Sequence, residues 1–460
     1  MKSINGPKTP TIVQQIQWTL EPLKTMETCA QKYGDIFALK VGLGNHPAVY
    51  VSSPQAQKEI LTKDNNEYEV PGTEIFKSLL GEKSMIVLEG DRHRRERKLL
   101  MPPFHGDRMR NYGDLICELS KQVANNLKVG ETFIARNAMQ EITMQVILQA
   151  VFGLHEGPRL AQIKPLIADI LDVTGSPLRA SILFFPFLQQ DLGAWSPWGK
   201  YQRQMRQLDE LLYAEIKERR AQVDPSRTDI LTLMLLARDE AGQGMTDQEI
   251  RDELMTLLVA GHETTATALA WALYWVHKQP EVYQKLMQEL ATLNADADPM
   301  TIFRLPYLTA VCQETLRIYP VGMLTFPRVP TKPVELQGYH LEAGTIVLGS
   351  IYLTHHREDL YPEPKKFKPE RFLERQFSPY EYLPFGGGSR RCVGMALANF
   401  ELRLVLATLV SNFDMRLADN RPVKPQRRGL TLGPAGGVKM VMKGKRKQQQ
   451  QISPPVMSQV

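Results

Sequence analysis

Apolar residues recur at helical spacing over about 54–127, 136–171, 201–221, 247–278 and 281–293, so the middle of the chain is predicted to be helical. Shorter β-like runs flank that body: "IFALKVG" and "AVYVSS" near the start, then "VELQGYHLEAGTIVLGSI", and "GLTLGPAGGVKMVM" near the end. Each is bounded by Gly, Pro or Asn, as strands are. The pattern describes a mainly α fold of the α+β class, in which small sheets are added to a helical core. There is no repeat of fixed period and no long Pro/Gly/Ser linker, so a single domain is expected over 1–442, with 443–460 as a disordered basic and Gln-rich tail.

The longest apolar run, 254–276, could span a bilayer by length, but His262 and Glu263 lie near its centre. Two polar side chains at mid-depth favour a buried core helix over a membrane span. "SILFFPFL", 181–188, is too short to span and carries Pro186, so it reads as a loop or an interrupted helix.

Composition narrows the function classes. With 43% hydrophobic and 23% charged residues in 460, disorder of the whole chain is excluded. The net charge of +6, from 56 cations and 50 anions, sits partly in "KGKRKQQQQ", which leaves the body too near neutral for a nucleic-acid protein. Cys29, Cys117, Cys312 and Cys392 form no CxxC pair, which argues against a disulfide framework or structural zinc and for a reducing, cytoplasmic compartment. The opening residues are punctuated by Gly6, Pro7, Pro10 and Pro22 and hold no apolar h-region, so neither a signal peptide nor a transmembrane anchor is expected. One stretch departs from this mild character: "DRHRRERK", 91–98, with four arginines and a lysine.

Cys392 has the most unusual surroundings, in "LPFGGGSRRCVGMALANFELRL". Three glycines before the thiol and Gly394 after it let backbone amides approach an anion or a sulfur. A phosphate loop would need Gly-Lys-Ser/Thr entering a helix, and that is missing. A turn with a buried thiol is the default for a lone cysteine. The whole pattern, Phe385-x-x-Gly388-x-Arg390-x-Cys392-x-Gly394, resembles the haem-binding loop of the cytochrome P-450 superfamily of haem-thiolate monooxygenases. The resemblance implies the cytochrome P-450 fold, with a long central distal helix and a proximal Cys loop. It implies haem b held by the Cys392 thiolate, with Phe385, Gly394 and Arg390 around the cofactor and Arg390 on a propionate.

Further segments carry the same resemblance. In "QETLRIYP" Glu314 and Arg317 are three apart on one helical face, and with Arg371 in "FKPERF" they are similar to the family's structural Glu-Arg-Arg cluster. "AGHETT", 260–265, resembles the oxygen-activating segment, which implies Glu263 and Thr264 as the proton relay. Gly261 and the threonines suggest a local break in that helix. His262 falls at the family's variable position and is not assigned to a metal. In the Arg-rich stretch, His93 and Arg97 are expected on a haem propionate, and Arg92, Arg94, Arg95 and Lys98 on the outer face, docking an acidic ferredoxin or flavodoxin. Arg328 in "TFPRVP" matches a propionate position; His355 and His356 are weaker matches.

After the Cys loop only about seventy residues remain, too few for a fused reductase, so electrons are expected from a ferredoxin or flavodoxin with its reductase. The resemblance implies O2 and a hydrophobic small molecule as substrates, with hydroxylation of a fatty acid, terpenoid or polycyclic. The pocket is expected along 68–87, 167–187, Leu258, Ala260, Gly261, Met323, Leu324 and Ala435. A peroxygenase or isomerase, or a haem sensor without turnover, are the alternatives; the acid and threonine of the distal segment speak against both.

Overall fold

The run at 247–278 folds as one helix of 32 residues, Asp247–Lys278, and the other elements are arranged around it. Its start is fixed by a capping box: the Thr246 hydroxyl accepts from the Glu249 N–H, and the Glu249 carboxylate accepts from the Thr246 N–H. Leu254, Leu258, Ala266, Leu269, Trp271 and Leu273 are all buried, so most of this helix is covered by its neighbours. Helices Ala135–Val146, Pro197–Ala221, Pro306–Ile318 and Met395–Asn412 pack against it. The computed structural model describes all residues except 1–3, 42–46, 64–66, 72–75, 105–108, 175–188, 194, 295–296 and 447–460. The 181–188 segment and part of the expected 167–187 pocket wall therefore lie outside the described residues. No described helix is long and apolar enough to cross a membrane.

Two of the long helical runs divide. The stretch at 54–127 becomes Pro54–Thr62, Lys77–Leu80, Gly90–Leu100 and Arg110–Asn125. Gly81 ends the second of these at φ +95°, and a Cβ there would stand 2.1 Å from the Asp252 carboxylate, so only glycine fits. The stretch at 136–171 becomes Ala135–Val146, a π-turn at Ile147–Val151, and Pro158–Thr174. Periodicity alone does not register such interruptions, because flanking helices share the same spacing of apolar residues.

The alternating runs become strands, while Thr132–Ile134, Phe413–Leu417 and Pro425–Arg428, which no such run marks, complete the sheets. Ile36–Leu39 pairs antiparallel with Ala48–Val51, and Val49 aligns in parallel with Val347 of Val347–Gly349. A second sheet sets Lys439–Lys445 between Thr132–Ile134 and Phe413–Leu417. This strand runs three residues beyond 442. Arg446 follows it and donates through Nε to Val410 O and Phe413 O, at 3.0 and 3.1 Å. A hairpin, Pro425–Arg428 with Thr431–Pro434, is tied to the central helix by Trp271 Nε1, which donates to Leu432 O at 3.0 Å.

Glu314, Arg317 and Arg371 meet in the interior. Arg317 donates twice to Glu314, at 2.6 and 2.9 Å, and Arg371 Nε donates to the same carboxylate at 3.1 Å. Glu314 and Arg317 are completely buried, and a third donor, Lys368 N–H, sits 2.8 Å from Glu314 Oε1. His355 links this cluster to the Cys loop: Leu383 N–H donates to its Nε2 at 2.9 Å, which leaves the proton on Nδ1, facing Arg317 O. Burial and the Arg317 charge push its pKa well below the usual range, so the ring is a neutral structural bridge.

Two predictions follow from these buried charges. Arg371→Met leaves Glu314 under-compensated and is expected to lower unfolding stability by about 3–5 kcal/mol in denaturant titrations; a loss near zero would place the cluster in water. Glu401 on Met395–Asn412 is 3% exposed, its Oε1 has no partner, and burial pushes its pKa up to about 8 from 4.5. Between those values the folded chain holds a proton that the unfolded chain has released, so stability falls as pH rises through that window and is level above it. Glu401→Gln should therefore raise the thermal midpoint more at about pH 9 than at about pH 5, and an equal shift at both would contradict neutral burial.

Candidate active site

Cys392 lies just ahead of the Met395–Asn412 helix, on a loop folded back on itself: Cys392 N–H donates to Phe385 O at 3.0 Å, and Arg391 N–H to Gly388 O at 3.2 Å. The turns need positive φ at Gly386 (+68°) and Gly388 (+66°), and a Cβ on Gly387 would come within 2.7 Å of Leu61. Arg328, fully buried, donates to Phe326 O at 2.7 Å and Gly387 O at 3.1 Å. Arg390 donates to Val70 O, Met85 O and Leu88 O at 3.0, 2.8 and 2.6 Å. Both arginines thus use guanidinium N–H groups on carbonyls that hold the loop, beyond the propionate role expected of them.

Burial pushes the Cys392 thiol up, while the Gly394 N–H and the nearby Arg97 and Arg391 charges favour the thiolate. The side chain is nevertheless exposed, so it faces a crevice walled by protein. The helix that follows adds its N-terminal field in the same sense.

The Arg-rich stretch forms the helix Gly90–Leu100. His93 is buried, and desolvation together with the Arg390 and Arg97 charges pushes its pKa down to about 3. Arg97 is depressed by desolvation and by the Arg391 charge, and raised by Cys392. His93, Arg97, Arg390 and Cys392 therefore form one neighbourhood whose cations exceed its anions. A thiol with an N–H aimed at it, beside the cationic side chains of Arg97 and Arg390, fits a haem whose iron would take sulfur and whose carboxylates would take arginine.

Outer positions of that helix differ from expectation in one residue. Arg92, Arg94 and Lys98 are exposed, Arg94 pairing with Asp91 and Lys98 with Glu240 at 2.7 Å. Arg95 is turned instead toward the start of the central helix, with Asp239 at 2.7 Å and Glu249 at 3.2 Å. Glu96 beside it is buried, and desolvation and Glu249 push its pKa up to about 7.

On the opposite side the central helix borders a cavity of about 900 Å³, lined by Phe76, Leu79, Ile86, Val259, Leu324 and Phe326 among others. Its size is that of a small-molecule site. Ala260, Glu263, Thr264, Met323 and Leu324 line it as expected. Leu258, Gly261 and Ala435 do not: Leu258 packs in the core, and Gly261 faces Ile147 of the π-turn, whose Cδ1 would lie 3.2 Å from a Cβ there. The helix runs unbroken through 260–265, so that glycine serves close packing in place of the expected break. Cys392 is not among the lining residues; Arg390 joins the two regions, since it holds Met85 and Leu88 and lies 5.9 Å from the Phe326 ring.

Glu263 is clamped by an ion pair to Arg136 and a 2.8 Å hydrogen bond from Gln140, both on Ala135–Val146. Thr264 donates to Ala260 O within its own helix. His262 is buried against Thr143, with Nδ1 2.9 Å from that hydroxyl and its pKa pushed down to about 4 by desolvation. No group of three potential metal ligands occurs among the described residues, and His355 and His356 sit away from the cavity lining. Sequence reasoning missed Arg136, Gln140, Arg427 and Arg428; nothing in their local pattern distinguishes them from solvated side chains.

The comparisons agree with this geometry. The cytochrome P450 family model matches residues 5–440. A putative cytochrome P450 135B1 of Mycobacterium tuberculosis is 35% identical over 96% of this chain and 91% of its own length. Putative cytochrome P450 138 of the same species is 31% identical over 96% of both. Among solved structures, a retinoic-acid-bound cyanobacterial CYP120A1 is similar with a TM-score of 0.80 and 26% identity, over 94% of this chain and 96% of that one. The chain belongs to the cytochrome P450 family, monooxygenase oxidoreductases that bind haem b through a cysteine thiolate.

Proposed function

We propose that this chain inserts one oxygen atom of O2 into an apolar substrate, a fatty acid, terpenoid or polycyclic, with Cys392 as the haem ligand and electrons from a ferredoxin or flavodoxin with its reductase, in the cytoplasm. The observation that carries this is the pairing of two half-sites on adjoining elements. One is a crevice-facing thiol with the Gly394 N–H directed at it; the other is an apolar cavity bordered by Ala260, Glu263 and Thr264. The retinoic acid of the cyanobacterial relative, itself largely apolar, supports the substrate class.

Bound haem supplies the redox chemistry and the activation of oxygen. The chain's own residues do the rest. Gly394 N–H and the helix behind it hold negative charge on sulfur; His93, Arg97, Arg328 and Arg390 supply donors for carboxylates at the cofactor's edge; Phe326, Leu324 and Val259 exclude water from the reacting carbon. Thr264 relays a proton by rotating its hydroxyl away from Ala260 O, and Glu263 does so by leaving the Arg136 and Gln140 clamp, taking up a proton from solvent water and passing it inward.

Turnover with isotopically labelled O2 tests the reading: one labelled atom in the product is expected, and label drawn only from water would overturn it. Glu263→Gln and Thr264→Ala should each cut product formation by about 10²-fold while reductant is still consumed and appears as hydrogen peroxide; unchanged coupling would remove them from the relay. Exposed Arg92, Arg94 and Arg391 form the docking face. Reversing Arg92 and Arg94 to glutamate should slow reduction by an acidic ferredoxin severalfold at low ionic strength and little at high; a rate indifferent to charge at low salt would place docking elsewhere.

A further inference from the structure

Side chains near the start of the central helix grip the chain segment at 80–86. Arg251 Nη1 donates to Leu80 O at 3.3 Å, Lys83 N–H donates to Asp252 Oδ2 at 2.9 Å, Met85 N–H donates to Glu253 Oε1 at 2.6 Å, and the Ser84 and Thr256 hydroxyls lie 2.6 Å apart. Leu79, Leu80 and Ile86 form that segment's side of the cavity wall. Met85 is held at both ends of its backbone, because its carbonyl accepts from Arg390 Nη1 at 2.8 Å. The central helix and the Cys loop therefore meet through one residue.

Glu253 is the unusual member of this grip. Asp252 beside it is paired with Arg251 at 2.9 Å, whereas Glu253 is completely buried and has no ion pair among the described residues. The charges that act on it belong to Glu96 and Asp252, both acids. Desolvation, reinforced by those acids and only partly offset by hydrogen bonds, pushes its pKa well above the carboxylate range. Glu253 Oε2 and Glu96 Oε2 are also buried without a hydrogen-bond partner. An ionised carboxylate in that setting costs far more than a protonated one, so Glu253 is a neutral acid that gives one oxygen to Met85.

We propose that Glu253 is a positioning residue for this active site: by holding Met85 it keeps the Ile86 wall of the cavity and the Arg390 guanidinium in one fixed relation to the central helix. Glu253 is not among the cavity-lining residues and acts through the Met85 backbone. Because both grips end on that residue, loosening one end shifts the fit of a ligand and the charge at the cofactor's edge together, which separate supports for the two would not do. The inference deepens the monooxygenase reading and rests on it for the cofactor that Arg390 serves.

The test uses the holoprotein and three variants. Glu253→Gln is neutral and keeps an oxygen for Met85; Glu253→Leu is neutral and has none; Glu253→Asp falls one methylene short and takes the place of the leucine variant if that does not fold. Hydrogen exchange of the 83–88 amides, affinity for phenylimidazole read by the Soret band, the haem reduction potential and the infrared carbonyl band of a protonated carboxyl are measured in each. Glu253→Leu or Glu253→Asp is expected to speed exchange at Met85 about tenfold, the effect of losing one buried hydrogen bond, to weaken phenylimidazole severalfold and to move the potential. Glu253→Gln should leave those three near wild type and diminish the protonated-carboxyl band. Faster exchange with unchanged affinity and potential would make Glu253 a structural residue only and overturn the proposal, as would a glutamine variant that behaves like the leucine one, or an infrared band undiminished in Glu253→Gln. A reduced carbon monoxide spectrum of thiolate type in the same samples separates those failures from a failure of the haem-thiolate reading.

Discussion

A carboxylate in the middle of a buried helix has to be paired, and Glu263 sets the terms for the active site. The 32-residue helix that carries it is mostly buried, and three of its polar side chains find partners on neighbouring elements: Glu263 on Arg136 and Gln140, His262 on Thr143, Trp271 on the Leu432 carbonyl. Those bonds fix the rotation of the helix about its axis. Once the Ala135–Val146 helix is docked by them, Ala260 and Thr264 face the cavity and Gly261 faces Ile147. The same clamp that orders the acid also restrains it, since Glu263 can turn into the cavity only by giving up Arg136 and Gln140.

The proximal side is built by a different route to the same end. Buried cations bind backbone carbonyls and so position a loop that has little apolar surface of its own. Arg317 donates to His355 O at 2.8 Å, His355 receives the Leu383 N–H, Arg328 holds Gly387 O, and Arg390 gathers three carbonyls from two segments. Each such bond is charge-assisted and worth more than a neutral one in the interior. Glycines at 386 and 388 supply the positive φ that lets the chain turn within this frame.

Much of this was legible in the sequence, and unevenly so. The central helix follows from a long, mostly apolar run, the strands near 36–51, 334–349 and 431–442 from local alternation, and the Cys loop from a spacing that no bland turn requires, whereas Thr132–Ile134 and Phe413–Leu417 carry no such signal. The divisions at 54–127 and the π-turn at Ile147 were not legible, because the helical pattern continues in phase across them. The orientation of Arg95 toward Asp239 and Glu249, more than 140 residues away, is a tertiary fact with no local signal. Arg136 and Arg428 are the clearest case: each looks like an ordinary surface cation until the fold brings residues 136, 263 and 428 to one wall.

The claim on which the rest depends is that Cys392 is the residue bound to iron, and the carbon monoxide complex of the reduced protein tests it most directly. Ligation by Cys392 predicts the long-wavelength Soret band of a haem thiolate in the native chain and its replacement by a shorter-wavelength band in Cys392→Ser. A native protein without the thiolate band, or a Cys392→Ser variant that keeps it, would contradict the assignment.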